Sequence, residues 1–411
     1  MRLIRICTNY PAYIKEFYKQ RSNLDQEPYS IQYQTLMDDC FGWADFWTHA
    51  FGKLGYEVWE PVGNAEPMQK KWAEENGVNY EEETWLTDII TAQVKHFQPD
   101  VLLVNDYSTY KLSFFTRLRE ECSSLRLVIG WCGAPYKDET VFHAYDLVLS
   151  NIPILVEEFR RLGHHSEYMC HAFEPRILEK IDRTQKPNIP FSFVGSIVKG
   201  KGFHNQRETL LKTLVEKTDL QIWSSVRQPP QREQKLLPMK RNLYYALQGI
   251  QKAFPASKSF LTKIPKLKSY ATLSDAPNLS RYVDSAIASR ANSPVFGLAM
   301  YQTLYNSQVT LNNHIDLASQ YASNMRLYEA TGVGTCLLTD AQPNLKEIFE
   351  PDQEVVTYSH PEEAVEKVNY LLENPAERDK IAKAGQARTL RDHTFFHRAE
   401  YINESIHQKL K

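Results

Sequence analysis

The sequence predicts an α/β protein built from two doubly wound units. Three observations carry that expectation. Short apolar runs alternate with stretches of helical length and pattern, the rhythm of parallel sheets with helices on both faces. The rhythm breaks across residues 175–190, where Lys, Asn, Asp and Thr accompany three prolines, and then restarts. At 411 residues the chain is also longer than one ordinary domain.

In the first unit, residues 3–7 alternate and end in polar Thr8 and Asn9, which makes them the first strand. An aromatic segment follows over 10–51, and 55–59 is the second strand. Residues 84–97 read as a helix, after which Pro99 and Asp100 open the strand 101–105. A helix at 113–121, strands at 125–130 and 146–150, and a helix over 154–162 stopped by Gly163 complete the unit. In the second unit, 191–195 is a strand, 206–216 a helix, and 220–223 and 307–312 are strands. Ser323 is then placed to cap a helix carrying Arg326 and Glu329 on one face of its first turns. Gly332 and Gly334 end that helix, and 335–339 is a buried strand. Residues 344–349 and 361–374 are helical, with more helix over 376–400.

Residues 228–292 interrupt the second unit. Nine Lys/Arg and one Glu stand between 228 and 270, with Leu236, Leu243, Tyr244, Tyr245, Leu247, Ile250 and Phe254 at helical spacing. Two readings compete: a helical insertion with a solvated basic face, or peripheral docking on a membrane surface or an anionic acceptor.

Composition excludes several classes. With 42% hydrophobic and 24% charged residues the chain is globular. A net charge of −2 gives no argument for nucleic acid. Apolar runs such as 101–104 fall far short of a membrane span, and the N-terminus lacks the apolar region of a signal peptide, so a cytoplasmic protein is expected. The six cysteines are scattered without a CxxC pair, which points to reduced thiols and no zinc site.

Ligands of doubly wound sheets bind beyond the carboxyl ends of the strands. The residues there are Thr8, Asn9 and Tyr10, Asn105 and Asp106, Trp131 to Pro135, Asn151, Ser196, Ser224, Asn313, His314 and Asp340. No GxGxxG, GxxxxGK[ST], GxSxG, HExxH or Asp-x-Asp occurs. Without the last, a diphosphate must be met by Arg, Lys and helix N-termini. Arg326 in a first helical turn opposes the helix dipole and wants an anion nearby. Gly195 and Ser196 turn out of a strand and precede Lys199, Lys201, His204 and Arg207. Each has a plainer reading: a solvated loop for the lysines, a surface charge for Arg207, an i,i+3 ion pair for Arg326 and Glu329. The aromatics of 10–51 read as helix packing or as an acceptor platform.

The stretches PFSFVGS, NMRLYEATGVGTCLLTD and EIFEPDQEVVTYSHPEEAVEKVNYLLENPAERDKIAKAGQARTLRDHTFFHR resemble GT-B glycosyltransferases of the spore-maturation-protein type, with their "glycosyl transferases group 1" C-terminal domain. PDVLLVND, AYDLVLSN and HAFEP in the first unit are similar too. The resemblance implies two Rossmann-like domains facing across a cleft: an acceptor-side domain over 1–178, a donor domain over 179–385, and a C-terminal helix over 386–411 crossing back to the first domain. It implies transfer of a sugar, a hexose by expectation, from a nucleotide-diphosphate donor to a glycan or glycolipid acceptor in polysaccharide biosynthesis. No metal and no nucleic acid are expected. Glu329 would hold the donor ribose. Arg326 or Arg207 would meet the diphosphate, with Gly195, Ser196, Lys201 and Asn324 beside them. Arg326 would stabilise the leaving group and Asp106 would act as base, with Asp45 and Asp138 as rivals and His171 lining the cleft. Retaining relatives often carry a second Glu eight residues before the first; here Tyr321 stands there, so the stereochemistry stays open. A non-catalytic nucleotide-sugar or polysaccharide binding protein on the same scaffold is one alternative, and a GT-B-like epimerase or phosphorylase is another.

Overall fold

The structure is a computed structural model and describes residues 1–197, 205–226, 228–254, 257, 261, 264, 276–277, 282–314 and 320–411. Two six-stranded sheets, every pairing parallel, form the frame. The first comprises β1 (Arg2–Ile6), β2 (Glu57–Trp59), β3 (Val101–Val104), β4 (Leu127–Trp131), β5 (Leu147–Ser150) and β6 (Ser166–Tyr168), in the order β2-β1-β3-β4-β5-β6. The second comprises β7 (Ile189–Val194), β8 (Leu220–Trp223), β9 (Ala291–Asn292), β10 (Ser307–Asn312), β11 (Cys336–Asp340) and β12 (Val356–Tyr358). Its order, β9-β8-β7-β10-β11-β12, is the dinucleotide-fold order with its reversal between β7 and β10.

Burial on both faces explains the unbroken apolar runs. Leu3, Val101, Leu103, Ile129 and Leu149 pack on one side of the first sheet, and Ile4, Ile6, Leu102, Val104 and Val148 on the other. Arg5 interrupts β1 with a charge. It is buried against Glu60 and donates to the Ala44 carbonyl at 2.8 Å, while Glu60 accepts from the Thr48 amide at 2.6 Å. This buried pair ties the first strand to the aromatic segment.

Much of that segment packs in the core. Tyr13, Phe17, Trp43, Phe46 and Trp47 are all buried. Tyr13 stacks on Phe41 at 3.8 Å, and both reach Phe296 of the second domain. Phe46 and Trp47 receive Phe395 at 5.0 and 5.1 Å. Phe395 opens the last helix, Phe395–Leu410, which crosses back to the first domain and packs on the helix Phe46–Gly52. The preceding helix, Pro375–Asp392, packs on the helix Arg326–Val333, so the crossing falls at His393–Thr394 and not at residue 386. There the Phe173 amide donates to the His393 carbonyl at 2.9 Å, and the Phe395 amide donates to the Phe173 carbonyl at 3.1 Å. One apolar core runs from Leu3 through Phe173 to Leu327 and Ala330, uniting the domains.

Of the basic insertion, the helix Gln231–Ala253 is described, together with the short helix Ser285–Ser289 and edge strand β9. Among the described residues no helix is long and apolar enough to cross a membrane. All six cysteines are free.

Candidate active site

The topology places a reversal point in each sheet, and a polar side chain bridges each one. In the second sheet the strands on either side are β7 and β10. Arg207, on the helix Asn205–Lys217, donates to the Ser196 carbonyl at 2.8 Å and to the carbonyl and Oδ1 of Asn313. Its guanidinium clamps the two rim loops together. The Gly195 amide is taken by the Trp223 carbonyl at 3.1 Å. Lys199, Lys201 and His204 lie outside the described residues.

In the first sheet the reversal lies between β1 and β3, and Asp106 bridges it. Its Oδ2 accepts from Thr8 Oγ1 at 2.6 Å, and its Oδ1 accepts from the Ser108 amide and hydroxyl and the Thr109 amide at 2.8–2.9 Å. Burial alone would push this carboxyl up, but those bonds hold it below the usual carboxylate range. A carboxylate so fully engaged suits anchoring a loop better than taking a proton.

The helix Arg326–Val333 carries the pair singled out in the sequence. It begins after Met325, and Ser323 does not cap it. Instead the Ser323 carbonyl accepts from Asn151 Nδ2 of the first domain at 2.5 Å. The Tyr328 and Glu329 amides donate to the Met325 carbonyl at 2.9 and 3.0 Å, while among the described residues the Arg326 and Leu327 amides have no backbone acceptor. Arg326 Nη1 lies 2.8 Å from Glu329 Oε2 and 3.3 Å from Met300 Sδ, so the anion beside Arg326 in this state is Glu329. Burial raises the Glu329 carboxyl above its ordinary value, and Arg326 offsets this only in part. Gly334 stops the helix in the left-handed region at φ +88°, whereas Gly332 lies within it. There a Cβ would come 2.3 Å from the Phe173 ring, so Gly332 serves close approach between the domains.

Tyr10 leads toward the same helix. It is 70% exposed. Even so, surrounding atoms and the Glu329 charge raise its phenol. Tyr10 follows β1 at the rim of the first sheet.

The other nominated residues divide. His171 packs beside Trp131 and Trp43 at the domain junction, with Asn151 Nδ2 at 3.2 Å from its Nε2. Burial, with Arg398 nearby, pushes it down to about 3, so it is neutral. Asp45 is held by Arg176 through both carboxylate oxygens at 2.9 and 3.3 Å. Asp138 is exposed and accepts from the Thr140 amide and hydroxyl in its own loop. The structure does not bring Asp45 or Asp138 to Arg326. Asn324 does join the helix start, donating to Asn312 Oδ1 at 2.6 Å.

Among the described residues, some of the buried polar side-chain atoms without partners stand at the rim. Asn151 Oδ1, His171 Nδ1, Ser224 Oγ, His314 Nε2 and Asn324 Oδ1 have none. All five residues stand at or just beyond the carboxyl ends of strands or at the helix start. Buried polar groups are normally satisfied, so such atoms point to a ligand or ordered water. Among the described residues no three His, Cys, Asp or Glu side chains gather as metal ligands.

Comparisons agree with this frame. Residues 259–404, less than half of the chain, match the model of a family described as glycosyl transferase-like. No curated protein matches. Among solved structures, Anabaena HepE in complex with UDP and glucose is similar over 99% of this chain and 100% of its own, at 10% identity and TM-score 0.55. A glycosyltransferase from Rickettsia africae ESF-5 is similar over 100% and 98%, at 7% identity and TM-score 0.52. Sucrose-phosphate synthase from Thermosynechococcus elongatus is similar over 99% and 98%, at 10% identity and TM-score 0.50. At these identities the likeness defines the fold, and the chain has the GT-B architecture.

Proposed function

We propose that this protein is a glycosyltransferase. It moves a sugar, by our reading a hexose, from a nucleotide-diphosphate donor to a glycan or glycolipid hydroxyl in the cytoplasm, without a metal. One observation carries the reading. The helix Arg326–Val333 offers the Arg326 and Leu327 amides, the Arg326 guanidinium and a buried carboxylate to a rim where several buried polar side-chain atoms lack partners. Helix amides and a guanidinium suit a diphosphate, and a buried carboxylate suits ribose hydroxyls. On departure the diphosphate gains negative charge, which those donors stabilise. The match of 259–404 to a glycosyl transferase-like family and the UDP in the HepE complex support the choice of ligand.

The state of the nominated bases favours a second reading. Asp106 and Asp45 are both engaged, which suits a non-catalytic nucleotide-sugar or polysaccharide binding protein, or retaining chemistry that needs no separate base. A thermal-shift screen with UDP, GDP, ADP and dTDP, followed by donor-consumption assays, separates these outcomes. Stabilisation by one nucleotide with donor turnover supports the enzyme. Stabilisation without turnover, across candidate acceptors, supports the binding protein, and no stabilisation by any nucleotide sinks both.

A further inference from the structure

The network beneath the helix start has a direction, set by one carboxylate. Asp340 ends β11 and accepts from every neighbour: the His314 amide at 3.1 Å, His314 Nδ1 at 2.7 Å, Thr339 Oγ1 at 3.4 Å and Gln342 Nε2 at 2.8 Å. Burial would push its carboxyl up, but His314 and Gln342 hold it below its ordinary value. An ionised carboxylate only accepts. The Thr339 hydroxyl must therefore point its proton at Asp340, which leaves its oxygen to accept from Asn312 Nδ2 at 2.9 Å. Asn312 Oδ1 then accepts from Asn324 Nδ2 at 2.6 Å. Asn324 Oδ1 is the free end of this branch, and it is buried without a partner.

The other branch ends the same way. His314 Nδ1 lies 2.7 Å from Asp340 Oδ1, which leaves Nε2 as the free nitrogen of the ring. His314 is 4% exposed, and its Nε2 has no partner. Asn324 Oδ1 can only accept, so it matches a hydroxyl donor and not a phosphate, and a hydroxyl, being both donor and acceptor, also satisfies an imidazole nitrogen.

We propose that His314 Nε2 and Asn324 Oδ1 bind hydroxyl groups of the transferred sugar, with Asp340 as the positioning residue that holds His314 and orders the branch through Thr339 and Asn312 to Asn324. This rests on the donor-binding reading above and deepens it. The diphosphate goes to the helix amides and Arg326, while the sugar lies toward β10 and β11.

The test uses the full-length chain and the nucleotide from the screen that stabilises it most. Affinities for that nucleotide and for its glucose, galactose, mannose and N-acetylglucosamine conjugates are measured by calorimetry on wild type, H314F, H314Q and D340N. Losing one neutral hydrogen bond costs roughly 2- to 10-fold in affinity. H314F and D340N should each lower the preference for the best conjugate over the bare nucleotide by about that factor. Nucleotide affinity itself should hold within about 2-fold. H314Q, which keeps an acceptor near Nε2, should retain part of the preference. If no nucleotide binds wild type, the donor-binding reading falls and takes this one with it. If nucleotides bind but the preference is unchanged in the variants, or falls in parallel with nucleotide affinity, the sugar assignment alone is overturned.

Discussion

Glu329 shows how far a residue can be understood from its neighbours. The i,i+3 spacing with Arg326 was legible in the sequence, and the structure places the two 2.8 Å apart. Burial of the carboxylate was not legible, because it depends on Tyr301 and the first domain closing over the helix. If Glu329 holds ribose hydroxyls, Glu329→Gln should weaken nucleotide binding about 10-fold, the cost of a hydrogen bond to a charged group. Calorimetry that finds unchanged affinity would remove the role. Asp106 teaches the opposite lesson. Its place after a strand suggested a base, but Ser108 and Thr109 close a loop on it, a local turn chemistry that its position alone did not weigh.

Among elements, the helix Arg326–Val333 was read correctly in type and place, but two of its punctuation marks were misassigned. Ser323 and Gly332 look like a cap and a stop, yet each faces the other domain, Ser323 through Asn151 and Gly332 through Phe173. Gly332→Ala should therefore cost about 1–3 kcal/mol by overpacking the seam. Urea denaturation that shows no loss would mean the Phe173 ring can move aside. The basic helix Gln231–Ala253 exposes Met239, Tyr245, Ile250 and Phe254 alongside Arg232, Lys235, Arg241 and Lys252. Apolar side chains flanked by cations suit an anionic membrane surface. Cosedimentation with phosphatidylserine vesicles should fall several-fold in an M239S/I250S/F254S variant; equal binding by the variant would leave this helix as scaffold.

At the scale of the molecule, the domains share a seam containing two neutral histidines. His171 is pushed down to about 3 and His393 to about 4, mainly by burial, with Arg398 adding to both. His393 accepts from Arg398 at 2.8 Å through Nδ1 and meets the Ile348 carbonyl through Nε2, so a second proton would point at a guanidinium. Both folded values lie below the unfolded one of about 6.5, so the unfolded chain binds more protons in between. Stability should be full above about pH 6.5 and fall as the solution is acidified toward the folded values, by about 2 kcal/mol per histidine at pH 5. Denaturation at pH 7.5 and 5.0 measures the fall. A histidine resonance of either ring titrating near neutrality would contradict it.

The sequence by itself determined the two-unit α/β plan, most strands, and the helix with Arg326 and Glu329, because strand burial and helical spacing are local patterns. Only the tertiary structure decided what those residues touch. Asn312 and Thr339 are paired by the register of β10 and β11, and Asp340 meets His314 because those strands lie side by side. Arg207 finds Asn313 across a reversal of strand order. Such contacts join residues far apart in the chain, and strand order and register set them where no local pattern can.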